Sequence, residues 1–488
     1  MSLGTAARSL QFAVRPRLVI KYLGVLALPL AALTIVPMGV ALSAGEIGVG
    51  LRYAMIVAGL ATAGWLCARL PYAATIQKNE ALLTSVLLFL IAALSYAVPF
   101  QAYGILPEDA IFEAISAVTT TGLSTLGTVE NKPATFLFAR AWLQWIGGLG
   151  IVVLALALLI DPGSSALRLG FSEQEIDDIE GGTRAHARQV LRLYLALTGV
   201  GVGLLLALGV SPFDAIVHTL AAVSTGGFSN YDASLAGLAG WPARTVVIAL
   251  GFAGALSFAW YFSVSFKNWR SWLTDRRFVT LAVACLLSGA LVVFFIWLHD
   301  NSFGRWPDAL LLAVSAQTTS GFSSTSVVDL PPAAQFTLIG SMMIGGDAGS
   351  TAGGIKLWRL LILMHLFQLV LLRISMPRYS RLTLRVAGQR LPPWELETAI
   401  AVVFIYVLLI ICSWAVFLVY GVAPFAALFE IVSAAGTVGL SVGVTGPDLA
   451  PALKFVLGVD MLMGRLEMLA VIVLLLPSTW IGKRRHSR

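Results

Sequence analysis

PFAALFEIVSAAGTVGLS, residues 424–441, opens on a proline, runs through about ten mostly apolar residues and closes on Thr437-Val438-Gly439-Leu440-Ser441. The closing phrase occurs three more times upstream, as Thr120-Thr121-Gly122-Leu123-Ser124, Thr225-Gly226-Gly227-Phe228-Ser229 and Thr319-Ser320-Gly321-Phe322-Ser323. The pattern is T-x-G-[LF]-S each time, with the glycines 105, 94 and 118 residues apart. Ala110, Ala215, Ala309 and Ala427 each stand ten residues before the threonine. Pro107, Pro212, Pro307 and Pro424 stand two or three residues before those alanines. A plain extracellular turn would explain one copy; four matched copies define a repeat.

Each part of the repeat has a physical reading. Proline is tolerated at a helix start, where the first N–H groups have no partner in any case. The apolar run that follows is too short to span a bilayer and suits a half-helix that enters from one side. Glycine then admits a backbone conformation closed to other residues. Irregular backbone at membrane depth is stable only against protein or water. Four such loops on one axis would present rings of carbonyl oxygens that replace a cation's hydration shell.

Composition places the repeat in a membrane. Apolar residues make up 58% of the 488 and charged residues only 12%, too little charge to cover a soluble surface of this size. Ten spanning segments are expected, near 18–43, 50–68, 80–100, 134–160, 190–210, 243–265, 278–298, 334–373, 394–420 and 452–478. The first is too long for a signal-peptide core and reads as a retained helix. Eight spans make four units, and the first two are an N-terminal addition. The expected layout is a hairpin over 1–76 and pore repeats over 77–165, 166–272, 273–390 and 391–488.

With the N-terminus in the cytoplasm, 23 of the 32 basic residues fall in inner segments, including Arg168, Lys267, Arg270 and the tail from Lys483. The outer set is Arg52, Lys132, Arg140, Arg244, Arg305 and Lys454. This asymmetry predicts both termini inside. The net charge of +7 recurs between apolar runs and forms no patch for nucleic acid. Cys67, Cys285 and Cys412 are far apart, and the five histidines form no metal-binding array.

At the repeated phrases the sequence resembles the Trk/Ktr/HKT superfamily of potassium transporters, and within it the TrkH/TrkG branch. The fourth copy also resembles the first part of the potassium-channel filter TVGYG. Gly345-Gly346-Asp347-Ala348-Gly349-Ser350-Thr351-Ala352-Gly353-Gly354-Ile355-Lys356 resembles the family's intramembrane gate loop, with Asp347 as a departure. Gly464-Arg465-Leu466-Glu467 resembles the TrkH/TrkG form of the last helix, whereas Met376-Pro377 lacks a histidine the family leads one to expect there. The resemblance implies an all-α membrane fold: four M1–pore helix–filter–M2 units around a central ion pore, preceded by a transmembrane hairpin. It implies uptake of potassium across the plasma (inner) membrane. Potassium would bind at Thr120, Thr121, Gly122, Thr225, Gly226, Gly227, Thr319, Ser320, Gly321, Thr437, Val438 and Gly439. It further implies a homodimer and a separate cytoplasmic, TrkA-like subunit that binds nucleotides, with no cofactor in this chain.

Three sets of residues call for their own reading. A single helix over 334–373 would be about 60 Å long, twice the apolar core. Its glycine-rich centre, Gly345, Gly346, Asp347, Ala348, Gly349, Ser350, Thr351, Gly353, Gly354 and Lys356, is expected to be a broken-helix gate. The rival is a small-residue packing surface, since Gly345, Gly349 and Gly353 fit that spacing. Arg465 lies near the bilayer midplane, where a charge is functional by default; it is expected beneath the filter, within reach of Asp347. Glu113, His218 and Glu430, each seven residues before a filter threonine, either pair with neighbours behind the filter or stand as outer-mouth charges; structural support is favoured over ion contact.

Competing functions are a sodium-permeable transporter of the same architecture, a membrane-embedded enzyme and an inverted-repeat symporter. No span carries a convergent catalytic set, and these repeats all run the same way. A glycine in all four filters favours potassium over sodium by the resemblance.

Overall fold

The computed structural model describes residues 13–71, 76–159, 183–263, 274–300, 304, 306–375, 385–386, 389–466 and 468–480. Arg168, Lys267, Arg270, Arg305, Met376-Pro377, Glu467 and the tail from Lys483 lie outside them. The described chain is helical apart from a two-residue ribbon pairing Arg385–Val386 with Gln389–Arg390. Seven of its helices are long and apolar enough to cross a membrane.

The N-terminal hairpin is Pro16–Ser43 and Ile47–Ala68, turned at Gly45 with φ +79°. Small residues let its two helices approach closely: a Cβ at Gly24 would collide with Cys67 and Gly64. A buried clamp ties the hairpin to the first unit. Arg15 donates through its backbone N, Nε and Nη2 to Glu80 at 3.0, 2.7 and 2.8 Å.

Four units follow. Their outer helices are Lys78–Phe100, Thr183–Ala207, Arg276–Asp300 and Pro393–Val419. Their pore helices are Pro107–Val118, Pro212–Val223, Trp306–Gln317 and Pro424–Ala435, each of 12 residues. At 1.5 Å per residue each is about 18 Å long, roughly half the bilayer. Each begins with proline at the first or second position, as the repeat predicts. The inner helix of every unit packs on the pore helix of the next, and the fourth packs on the first, closing a ring.

The inner helices depart from simple spans. Ala134–Leu159 is continuous. The third breaks as expected, into Pro332–Ile344 and Leu357–Ser375 around the glycine-rich loop. The second and fourth, expected as single spans over 243–265 and 452–478, are also broken: Trp241–Ala255 with Phe258–Ser263, and Pro451–Arg465 with Leu469–Leu475. The reason in unit two is tertiary. Its break leaves the carbonyls of Gly254 and Ala255 without helical donors, and the loop of unit three supplies them: Thr351 N donates to Gly254 O and Asp347 N to Ala255 O, both at 3.1 Å. Sequence periodicity cannot register a break that another segment satisfies.

Candidate ion filter and gate

The filter grows out of the ends of the pore helices. Thr120, Thr225, Thr319 and Thr437 have φ of 54, 54, 53 and 51°. This left-handed conformation is an outlier for a β-branched residue, and strain of this kind gathers at functional sites. The threonine N–H groups donate to Ala117, Ala222, Ala316 and Ala434 at 2.9–3.2 Å. The next N–H groups, from Thr121, Gly226, Ser320 and Val438, reach back to Ser116, Ala221, Ser315 and Ser433 at 2.7–2.9 Å. This is a Schellman cap with threonine where glycine usually stands. The glycines two positions on, Gly122, Gly227, Gly321 and Gly439, have φ of 92, 78, 69 and 94°. Sequence reasoning assigned the special backbone to the glycines and missed the threonines.

The four strands meet around one axis. A Cβ on Gly122 would strike the carbonyl oxygen of Gly226; one on Gly227, that of Ser320; one on Gly321, that of Val438; and one on Gly439, that of Thr121. The contacts run from unit one through unit four and back to one. All twelve residues expected in the filter are thus brought together, and its eight threonine and mid-strand positions are buried.

The residues seven positions before the threonines brace the strands from behind, as expected. Ser124, Ser229 and Ser441 pair with Glu113, His218 and Glu430 at 2.5, 2.9 and 2.6 Å. Glu430 also accepts Val442 N, Val444 N and Thr445 Oγ1 at 2.9, 3.2 and 2.6 Å. Glu113 is neutralised by Arg140 at 2.8 Å, whose guanidinium lies 3.7 Å from the ring centre of Phe228 in filter two. Arg140 was counted among the outer loop charges; it is instead a buried brace between filters one and two. Gln144, one turn further along the same helix, is bonded to Gly226 and Phe228. Polar residues at i and i+4 inside a span were the available signal. Beside filter two Tyr231 donates to Asp214 at 2.9 Å; burial, and then this bond, push its phenol up to about 12.

The glycine-rich loop lies directly under the threonines. Gly353 N donates to Thr319 Oγ1 at 2.8 Å, and Gly353 abuts Gly436 O and Thr437 Oγ1 so closely that a Cβ would not fit. Thr351 Oγ1 donates to Gly254 O at 2.9 Å and lies 3.3 Å from Thr225 Oγ1. Gly345, Gly349 and Gly354 take φ of 70, 73 and 76°, so these glycines serve a loop and not a helix-packing surface. Gly345 O accepts Gln317 Nε2 at 2.7 Å, Gly346 O accepts Leu357 N at 3.0 Å and Ser350 Oγ donates to Asp347 O at 2.6 Å. Ala348 N donates to the carboxylate of Asp347 at 2.8 Å. Lys356, buried with φ 79°, donates to Ala352 O.

Arg465 is buried beneath the filter, but its expected contact with Asp347 is not formed. Its Nη1 donates to Thr351 O and its Nη2 to Gly147 O, the latter at 3.1 Å. An equal count of residues along two spans fixes neither azimuth nor contact.

Four half-helices, a closed ring of strained strands and a glycine-rich loop packed below them define a membrane pore of four-fold pseudosymmetry. Over residues 80–481 the chain matches the TrkH family, cation transport proteins, and it belongs to that family. It is 30% identical over 419 residues to the Trk system potassium uptake protein TrkH of Salmonella typhimurium, covering 83% of this chain and 86% of that one. It is 29% identical over 478 residues to the Trk system potassium uptake protein TrkI of Halomonas elongata, covering 95% and 96%. The crystal structure of the potassium transporter TrkH from Vibrio parahaemolyticus superposes with a TM-score of 0.84 at 27% identity, covering 96% of this chain and all of that one.

Proposed function

We propose that this chain takes up potassium across the plasma (inner) membrane through a single pore, with both termini in the cytoplasm. The observation that carries this reading is the closed ring, in which each filter glycine packs on the mid-strand carbonyl of the next unit. In this reading the ion is held by backbone and hydroxyl oxygens of Thr120, Thr121, Gly122, Thr225, Gly226, Gly227, Thr319, Ser320, Gly321, Thr437, Val438 and Gly439. Each strand keeps only part of a TVGYG filter, so fewer carbonyl rings form and selectivity falls short of a complete TVGYG filter. The loop Gly345–Lys356 and Arg465 form the closed gate.

The chain works as the membrane component of a Trk-type system, as a homodimer controlled by a cytoplasmic nucleotide-binding subunit. The test is cation flux into proteoliposomes. Potassium and rubidium should enter much faster than sodium and lithium, and the purified chain alone should ignore added nucleotide. Equal sodium and potassium flux would sink the potassium reading in favour of a sodium-permeable transporter. A nucleotide response without added protein would sink the partner.

A further inference from the structure

The four filter strands differ at the residue between threonine and glycine: Thr121, Gly226, Ser320 and Val438. Three of these carry a side chain that packs behind the strand. Thr121 Oγ1 lies 2.8 Å from Thr119 Oγ1, Ser320 Oγ lies 3.0 Å from Thr318 Oγ1, and Val438 is fully buried. Unit two has only a hydrogen atom there, yet Gly226 is absent from the positive-φ glycines. Its backbone therefore does not require glycine.

Something else fills the space. Gln144, fully buried on the inner helix of unit one, donates from Nε2 to Gly226 O at 2.5 Å and accepts Phe228 N on Oε1 at 3.3 Å. A Cβ on Gly226 would stand 2.5 Å from Gln144 Oε1 and 2.7 Å from Nε2. The amide thus occupies the volume of the missing side chain. Among the described residues this arrangement has no counterpart against strands one and three. Gly147, Gly254 and Gly464 pack on Val118 O, Val223 O and Ala435 O, so they correspond on their inner helices. Three residues earlier stand Gln144, Gly251 and Met461, and only the first carries an amide.

We infer that Gln144 is a specificity-determining positioning residue, a side chain lent by unit one to filter two. A Gly–Gly step is the freest backbone in the ring. One planar amide pins the two consecutive peptide groups around Gly227 and keeps the Gly226 carbonyl in register with those of Thr121, Ser320 and Val438. The inference rests on the filter reading above.

The test is the potassium-to-sodium flux ratio of purified variants in proteoliposomes, after each is checked for a monodisperse profile. Gln144→Met, which adopts the residue type of Met461, should lower the ratio about fivefold, the factor one net hydrogen bond commands. Gln144→Leu, which puts an apolar side chain of similar size in place of the donor, should lower it too and serves if the first variant does not fold. Gly226→Ser should lose ratio or flux by collision. Gly226→Ser combined with Gln144→Ala should recover both, because the side chain has moved from helix to strand. An unchanged or higher ratio in the Gln144 variants, or no recovery in the double variant, overturns the inference. Gly439→Ser separates the two levels. If it also leaves the ratio intact, the filter reading itself fails; if it collapses the ratio while Gln144→Met does not, only the role of Gln144 fails.

Discussion

Arg465 donates one guanidinium nitrogen to the backbone oxygen of Thr351 and another to that of Gly147. It thereby fastens the glycine-rich loop of unit three to the inner helix of unit one. Both acceptors are neutral, so the positive charge is solvated by the protein without being cancelled. In the proposed reading a cation leaving the filter would meet that charge and the loop it holds.

Replacing Arg465 with alanine should therefore raise flux while leaving the potassium-to-sodium ratio roughly unchanged. Hydrogen bonds from a charged group contribute about 1.5–3 kcal/mol each, so losing one bond that exists only in the closed arrangement shifts the equilibrium by about tenfold or more. Arg465→Gln, which keeps a donor, should fall between. Flux equal to or below the parent in well-folded protein would make Arg465 a structural residue.

Asp347 has a different task from the one its position suggests. Its carboxylate accepts Ala348 N, and its backbone bonds Ala255 and Ser350. Since it does not contact Arg465, a double-mutant cycle of Asp347→Asn and Arg465→Ala should show coupling below about 0.5 kcal/mol in gating free energy. Strong coupling would revive a direct pairing in another state of the gate.

The repeat was legible because its signal is local: proline, apolar run and T-x-G-Φ-S recur in one register, and a half-helix capped at its end is decided within about twenty residues. The third broken helix was legible from excess length and clustered glycines. The breaks after Ala255 and Arg465 were not, because the groups that make them tolerable, Thr351 and Asp347 in the first case, lie about a hundred residues away. Arg140 was misplaced for a similar reason. Charge counting treats every basic residue near a span end as a topology marker, whereas this one is buried against Glu113 and Phe228.

The filter glycines should be far less replaceable than glycines of the helices around them. Gly227 and Gly439 combine φ of 78 and 94° with a neighbouring carbonyl where a Cβ would go. Gly199, exposed on an outer helix, has open space there. Gly227→Ser and Gly439→Ser should lower the ion ratio or abolish flux, and Gly199→Ser should change neither. If the filter variants behave like Gly199→Ser at matched expression, these loops are ordinary turns.

The pair Glu113–Arg140 joins stability to selectivity, and the two can be separated. Both side chains are almost fully buried, at 0 and 2% exposure. Removing one partner of a buried pair leaves an uncompensated charge and destabilises by about 3–5 kcal/mol, whereas replacing both by uncharged groups is often neutral. Arg140→Met should therefore lower the melting temperature markedly, and Glu113→Gln with Arg140→Met should restore most of it. The restored protein should still select poorly. Glutamine at 113 retains an oxygen for Ser124 and Thr125, but methionine at 140 cannot supply the cation that lies over Phe228. The measurement is thermal unfolding and the potassium-to-sodium flux ratio on the same preparations. Recovery of both together in the double variant would mean that Arg140 acts only by neutralising Glu113 and that its contact with filter two is incidental.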